Sequence, residues 1–324
     1  MRSKAAVLVA LIGAATLAAC GGGSSSGGGG GSSPADKAKS HAAAEKLIAQ
    51  AIGPNSKADS ARVDGTIDVD VKGIPRYKGT SELTADGMYN LPDGATAPDI
   101  NMDVGLTLND HAIGGTLVVA NSKGFIKLGD TGYKLPDSIS QKLVAPAADR
   151  KNGLLKAAAM FHINPQIWQK NALLVGDSSV AGESTQEITA ELQPDRFFVD
   201  VARLVHMLTL LHVTEAVGLP TAVGPKARAA LVRSTKVAKG EVYIAKSDHV
   251  LRKAHLVGKL VVAKRDRKLL GGMTGATLDA TITISDVGSP ESISAPTQLG
   301  RYADLQLSLN ALGEAIRNEL KKSK

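Results

Sequence analysis

Val63-Asp64-Gly65-Thr66-Ile67-Asp68-Val69-Asp70-Val71 decides the architecture. Val63, Ile67, Val69 and Val71 alternate with Asp64, Thr66, Asp68 and Asp70, so apolar side chains share one face and polar ones the other. A strand of that kind has one dry side and one wet side, which is the habit of antiparallel sheets. The pattern recurs downstream. Met102, Val104, Leu106 and Leu108 alternate with Asp103, Gly105, Thr107 and Asn109, and Ile113, Leu117 and Val119 follow a turn at Asn109-Asp110. Gly124 to Leu135 reads as a hairpin turning at Gly129-Asp130. The first half is therefore expected to be an antiparallel meander. A strand near Val180 to Leu192 rejoins the sheet, and Glu241 to Ala245, Val250 to Lys264 and Ala276 to Asp286 supply three more.

Helical spacing separates these runs. Pro34 to Ile52 reads as a helix stopped by Gly53-Pro54. Leu154 to Phe161 is rich in Ala and Leu, and Asn164-Pro165 is expected to cap a short helix carrying Ile167 and Trp168. From Pro194-Asp195 onward, Phe197, Val201, Leu204, Leu208 and Leu211 fall four, three, four and three apart on one stripe. Phe198, Val205, Met207 and Leu210 widen it, so this helix should be covered on more than one side. Gly218-Leu219-Pro220 is expected to end it; Pro225 to Val232 and Arg301 to Leu320 read as further helices. About ten strands, mostly consecutive, with helices between them, argue an α+β fold with one large antiparallel sheet.

The N-terminus is built differently. Arg2 and Lys4 precede an uncharged, almost wholly apolar run from Ala5 to Ala19. That run is shorter than the roughly 20 residues a membrane-spanning helix needs, and the layout is that of an export signal. It ends Leu17-Ala18-Ala19-Cys20, which resembles the lipobox of bacterial lipoproteins. The resemblance implies cleavage after residue 19 and a diacylglycerol on Cys20, a partner membrane lipid that holds the chain to the extracytoplasmic side of a cell membrane. Two acyl chains suffice for stable anchoring. Cys20 is the sole cysteine, so no internal disulfide can staple the fold. Residues 21–33 contain only Gly and Ser, a flexible tether with a root-mean-square span of roughly 20 Å. The expected organisation is 1–19 signal, 20–33 anchor and tether, 34–300 folded domain, and 301–324 a terminal helix.

Composition narrows the function. The formal charge is +7, falling to +5 once Arg2 and Lys4 are removed with the signal. That is mildly basic and suits an anionic membrane surface. One Trp, four Phe and five Tyr leave few stacking platforms, so nucleic acid is not an expected partner.

Four phrases, in order, resemble the LolA-like lipoproteins of the LppX/LprG type. They are Gly124 to Leu135; Val180 to Thr185; Gly240 to Ile244 with Val250 to Lys253; and Ile284 to Pro290 with Ile293 and Ala295-Pro296. The resemblance implies a strongly curved sheet, a half β-barrel, with helices packed on its concave face. It also implies an apolar cavity that binds or transfers a lipid or lipoglycan, without catalysis and as a monomer. Residues 218–239 and the charged terminal helix depart from the family's usual length. No cavity residue carries over by motif. From the apolar faces alone, the expected lining is Val69, Val71, Leu106, Leu117, Val119, Phe161, Trp168, Phe197, Val201, Leu204, Leu208 and Ile282. Each methylene kept from water is worth about 0.8 kcal/mol, so a sixteen-carbon chain amounts to roughly 12 kcal/mol, and a carrier must offer a dry space of similar worth. The alternative is a filled core in an envelope lipoprotein whose sheet binds another protein.

Catalytic and metal motifs are not evident. His206 and His212, six apart, are separated by about 240° of rotation on a helix, so they point in different directions. His249 and His255 could share a strand face but have no third ligand nearby in sequence, so neither metal nor other cofactor is expected. No Gly-x-Ser-x-Gly elbow occurs. Lys264-Arg265-Asp266-Arg267-Lys268 reads as an exposed hairpin end, or as a patch for anionic head groups.

Overall fold

A computed structural model describes residues 34–53, 56, 58–74, 80–108, 111–212, 214 and 221–322. Cys20, the Gly/Ser tether, the turn at Asn109-Asp110 and the stop at Gly218-Leu219-Pro220 lie outside them.

The chain opens with α1 (Pro34–Ala51) and runs through β1 (Ser60–Lys72), β2 (Thr80–Asn90), β3 (Asp99–Leu108), β4 (His111–Ala120), β5 (Lys123–Leu128) and β6 (Thr131–Lys134). Helices α2 (Asp137–Val144) and α3 (Gly153–Met160) follow, then β7 (Gln169–Val180) and β8 (Glu183–Leu192). Next come α4 (Pro194–Leu210), α5 (Pro225–Ser234), β9 (Thr235–Ala245) and β10 (Leu251–Val261). The remainder is α6 (Lys264–Arg267), β11 (Gly275–Ser285), β12 (Leu299–Gly300) and α7 (Tyr302–Lys322).

All twelve strands join one open, curved sheet in the order β12-β6-β5-β4-β3-β2-β1-β11-β10-β9-β8-β7. Two meanders, β1–β6 and β7–β11, meet where β1 pairs with β11 from Arg62↔Ser285 to Lys72↔Gly275. Every pairing is antiparallel except the two-residue parallel contact of β12 with β6. The fold is α+β, as the alternation in β1 requires: Val63, Ile67, Val69 and Val71 are buried, while Asp64, Asp68 and Asp70 face outward. Helices cover the apolar, concave side. Gly87 marks a close approach of two strands, since a Cβ there would lie 2.1 Å from the Asn101 carbonyl oxygen.

Several local expectations are corrected. β2 and β7 are strands the alternation did not reveal, and α2 is a helix it did not reveal. The expected strand from Val180 is a hairpin, β7 and β8, turning at Ala181-Gly182 with positive φ at both. Asn164 gives no side-chain cap to the 3-10 turn Pro165–Ile167. The main helix stops at Leu210, short of Gly218, where the Thr209 hydroxyl donates to the Val205 carbonyl and His212 takes φ 60°.

Candidate functional site

Pro194 opens α4, its φ preset for a first helical turn. The residue before it is clamped. The Gln193 backbone N–H donates to the Trp168 carbonyl at 2.5 Å, and its side-chain amide donates to the Ile167 and Gln169 carbonyls. Two turns on, the fully buried Asp200 carboxylate accepts from Trp168 Nε1 at 3.0 Å, from the Asn164 backbone N–H at 2.7 Å and from Arg203 at 2.8 Å. Burial and the nearby Arg203 and His206 hold His162 below the ordinary histidine range, against the opposing pull of Asp200. These bonds fix the rings that follow. Phe197 meets Trp168 edge-on with centroids 5.2 Å apart, and Phe198 meets Phe197 at 5.3 Å.

The first turns of α4 face β9–β11 across an apolar cleft of about 40 Å³. Pro194, Phe197 and Phe198 form one wall and Leu256, Leu260 and Leu278 the other, with Thr235, Val237, Lys259 and Thr277 also on its border. A second pocket, about 20 Å³, lies between α1 and the sheet beside Ile48, Ile52, Trp168, Val242 and Leu251.

Of the twelve lining residues expected from sequence, Phe197 borders the first space and Trp168 the second. Val69, Val71, Leu106, Leu117, Val119, Val201, Leu204 and Ile282 belong with them to one continuous buried core, and Phe161 and Leu208 are half-buried against it. The structure thus gathers all twelve, but most fill the interior instead of bordering a void. Ligand pockets run from about 300 Å³ upward, so neither space holds a whole acyl chain as it stands. Phe198, Leu256, Leu260 and Leu278 were missed as cleft residues. Leu278 lay in an alternation already recognised, and Leu256 with Leu260 in a strand whose period could have revealed them.

The basic run is not a bare hairpin end. Residues 264–267 form α6, and Asp266 within it is buried and accepts from Arg233 at 2.7 Å, which holds its carboxyl below the usual range. His249 sits in the turn before β10 with φ 59°, while His255 bonds Asp279 at 2.8 Å on the outer face. His206 is exposed and His212 lies 3.2 Å from Gln306. Among the described residues, no group of three or more His, Cys, Asp or Glu could hold a metal ion, and no helix is long and apolar enough to cross a membrane.

No protein-family model matches the chain, and no curated protein sequence does. Solved structures resemble it in fold. The Mycobacterium tuberculosis lipoprotein LppX is 16% identical, with 78% of this chain and 99% of that one covered and a TM-score of 0.38. LprF from Mycobacterium bovis is 13% identical, with 79% and 97% covered and a TM-score of 0.40. A LolA superfamily protein from Nitrosomonas europaea is 12% identical, with 75% and 91% covered and a TM-score of 0.19. The likeness is one of fold, and what the chain does is argued from its own residues.

Proposed function

We propose that this chain is an extracytoplasmic lipoprotein, anchored through acylated Cys20, that binds an acyl chain of a lipid or lipoglycan between α4 and the sheet. The observation that carries the reading is the cleft at the start of α4. It is lined almost wholly by aliphatic and phenyl groups, yet it is left open where folded interiors are normally close-packed. An acyl chain enters by parting α4 from β9–β11, with the Leu256, Leu260 and Leu278 side chains as its floor. No catalytic step is assigned.

The small volume favours a second reading, in which the interior stays filled and the protein binds another protein of the envelope. Organic extraction and native mass spectrometry of the chain from Gly21 onward, purified from a lipid-rich host, separate the two. Carriage predicts about one bound lipid per chain and its loss in Leu278→Trp, which plugs the cleft. A lipid-free protein that also refuses a fluorescent fatty acid sinks the first reading and leaves the second. Cys20→Ala is expected to shift the full chain out of the detergent-extracted membrane fraction.

A further inference from the structure

One end of the sheet is built of unneutralised cations. Gly275 pairs with Lys72 of β1 on one side and with Val261 of β10 on the other, and Leu260 pairs with Thr235 of β9. The end of β1, the end of β10 and the starts of β9 and β11 therefore lie together. The Arg233–Asp266 pair pins α6 to the end of α5 beside them. Lys236, Lys259, Lys264 and Lys268 are exposed here, and none forms an ion pair among the described residues. The nearby acids are occupied: Asp266 is buried against Arg233, and Asp70 lies 3.7 Å from Lys72. The opposite end of β10 is built differently. There Arg252 is held by Glu183 at 2.5 Å and by Asp248 at 2.6 Å.

Two further facts select the partner. Val261, 48% exposed, and Leu269, 37% exposed, stand among these cations. The cleft at the start of α4 lies at the same end, with Thr235, Val237 and Lys259 among its lining residues. A soluble acidic partner needs the cations alone. A bilayer with anionic head groups meets both the cations and the apolar side chains, which reach below the head-group level.

We infer that this end is a docking surface for an anionic phospholipid bilayer, presenting the mouth of the cleft to the membrane. The inference goes beyond cargo binding and is measured without cargo. A chain beginning at Gly21 keeps every described element and lacks the acyl anchor, so its attachment to vesicles reports the protein surface alone. It is expected to sediment with vesicles of phosphatidylcholine mixed with phosphatidylglycerol, to ignore phosphatidylcholine alone, and to let go as salt rises. Replacing Lys236, Lys259, Lys264 and Lys268 together by Ser should weaken attachment about tenfold or more. Val261→Ser with Leu269→Ser should weaken it with the salt dependence unchanged. Replacing Lys37, Lys39, Lys46 and Lys142 by Ser removes the same charge elsewhere and should leave attachment intact. Equal attachment to both vesicle types, an unaffected fourfold variant with an unchanged melting curve, or equal loss in the control variant overturns the inference.

Discussion

At the scale of single residues, the wall of the cleft depends on a buried charge. Asp200 has no exposed surface and gathers the indole N–H of Trp168, the backbone N–H of Asn164 and the Arg203 guanidinium. Removing it orphans the buried indole N–H, at a cost of about 1–3 kcal/mol, and the half-buried Asn164 N–H at a smaller one. Asp200→Ala is therefore expected to lower the unfolding free energy by about 2–4 kcal/mol. Asp195→Ala, on the exposed first turn of the same helix, should stay within about 0.5 kcal/mol. Trp168 is the only tryptophan, so its fluorescence reads both denaturation and local loosening. A denaturant midpoint equal to that of the parent would show that Asp200 does not hold the indole. Sequence pointed to Phe197 and Trp168 through their apolar spacing, but nothing in it announced Asp200. A polar residue in an apolar stripe declares its partners only when the turn before the helix has folded back.

At the scale of elements, alternation made β1, β3, β4 and β11 legible because each turns large aliphatic side chains inward. β2 was not, since its inward positions include Ser81, Ala85 and Gly87 beside Leu83. β7 was hidden by register shifts between Lys170 and Leu173 and between Leu174 and Gly176, which break the period of two. That strand is also an edge. There α1 covers it: Ser40 donates to the Leu174 carbonyl and His41 lies 2.7 Å from the Ala172 carbonyl, which blunts an otherwise unpaired strand. The outward face of β1 carries the opposite of a stabilising device. Asp68 sits directly between Glu82 of β2 and Asp279 of β11. Like charges directly opposite are unfavourable by a few tenths to about 1 kcal/mol per pair. Asp68→Asn should therefore raise the denaturant midpoint at neutral pH, with the gain shrinking as salt increases. A lower midpoint in low salt would mean that Asp68 has a favourable role that outweighs this repulsion.

At the scale of the whole molecule, the sheet leaves its two ends unjoined, and α7 bears on how firmly the concave side is closed. The sequence separated residues 301–324 as an appended helix because its charge and terminal position gave no sign of what it touches. In the structure α7 packs beside β6, buries Leu305 to 1% exposure, and leans Leu309 and Leu312 on the core. Gln306 reaches His212, just past the end of α4, at 3.2 Å. The helix thus links the β6 side of the sheet to the far end of the helix that walls the cleft. The buried Leu305 alone is worth about 1.5–3 kcal/mol. A chain ending at Gly300 is expected to unfold at lower denaturant by at least that much. If α7 restrains α4, the truncated chain should also take up more of an apolar fluorescent dye while keeping its far-ultraviolet circular dichroism per residue. The replacement Gln306→Ala in the intact chain separates the two effects, because it cuts the link to His212 and leaves Leu305 in place. It should raise dye uptake with little loss of stability. Uptake unchanged in both variants would make α7 a cover for the core with no hold on the cleft.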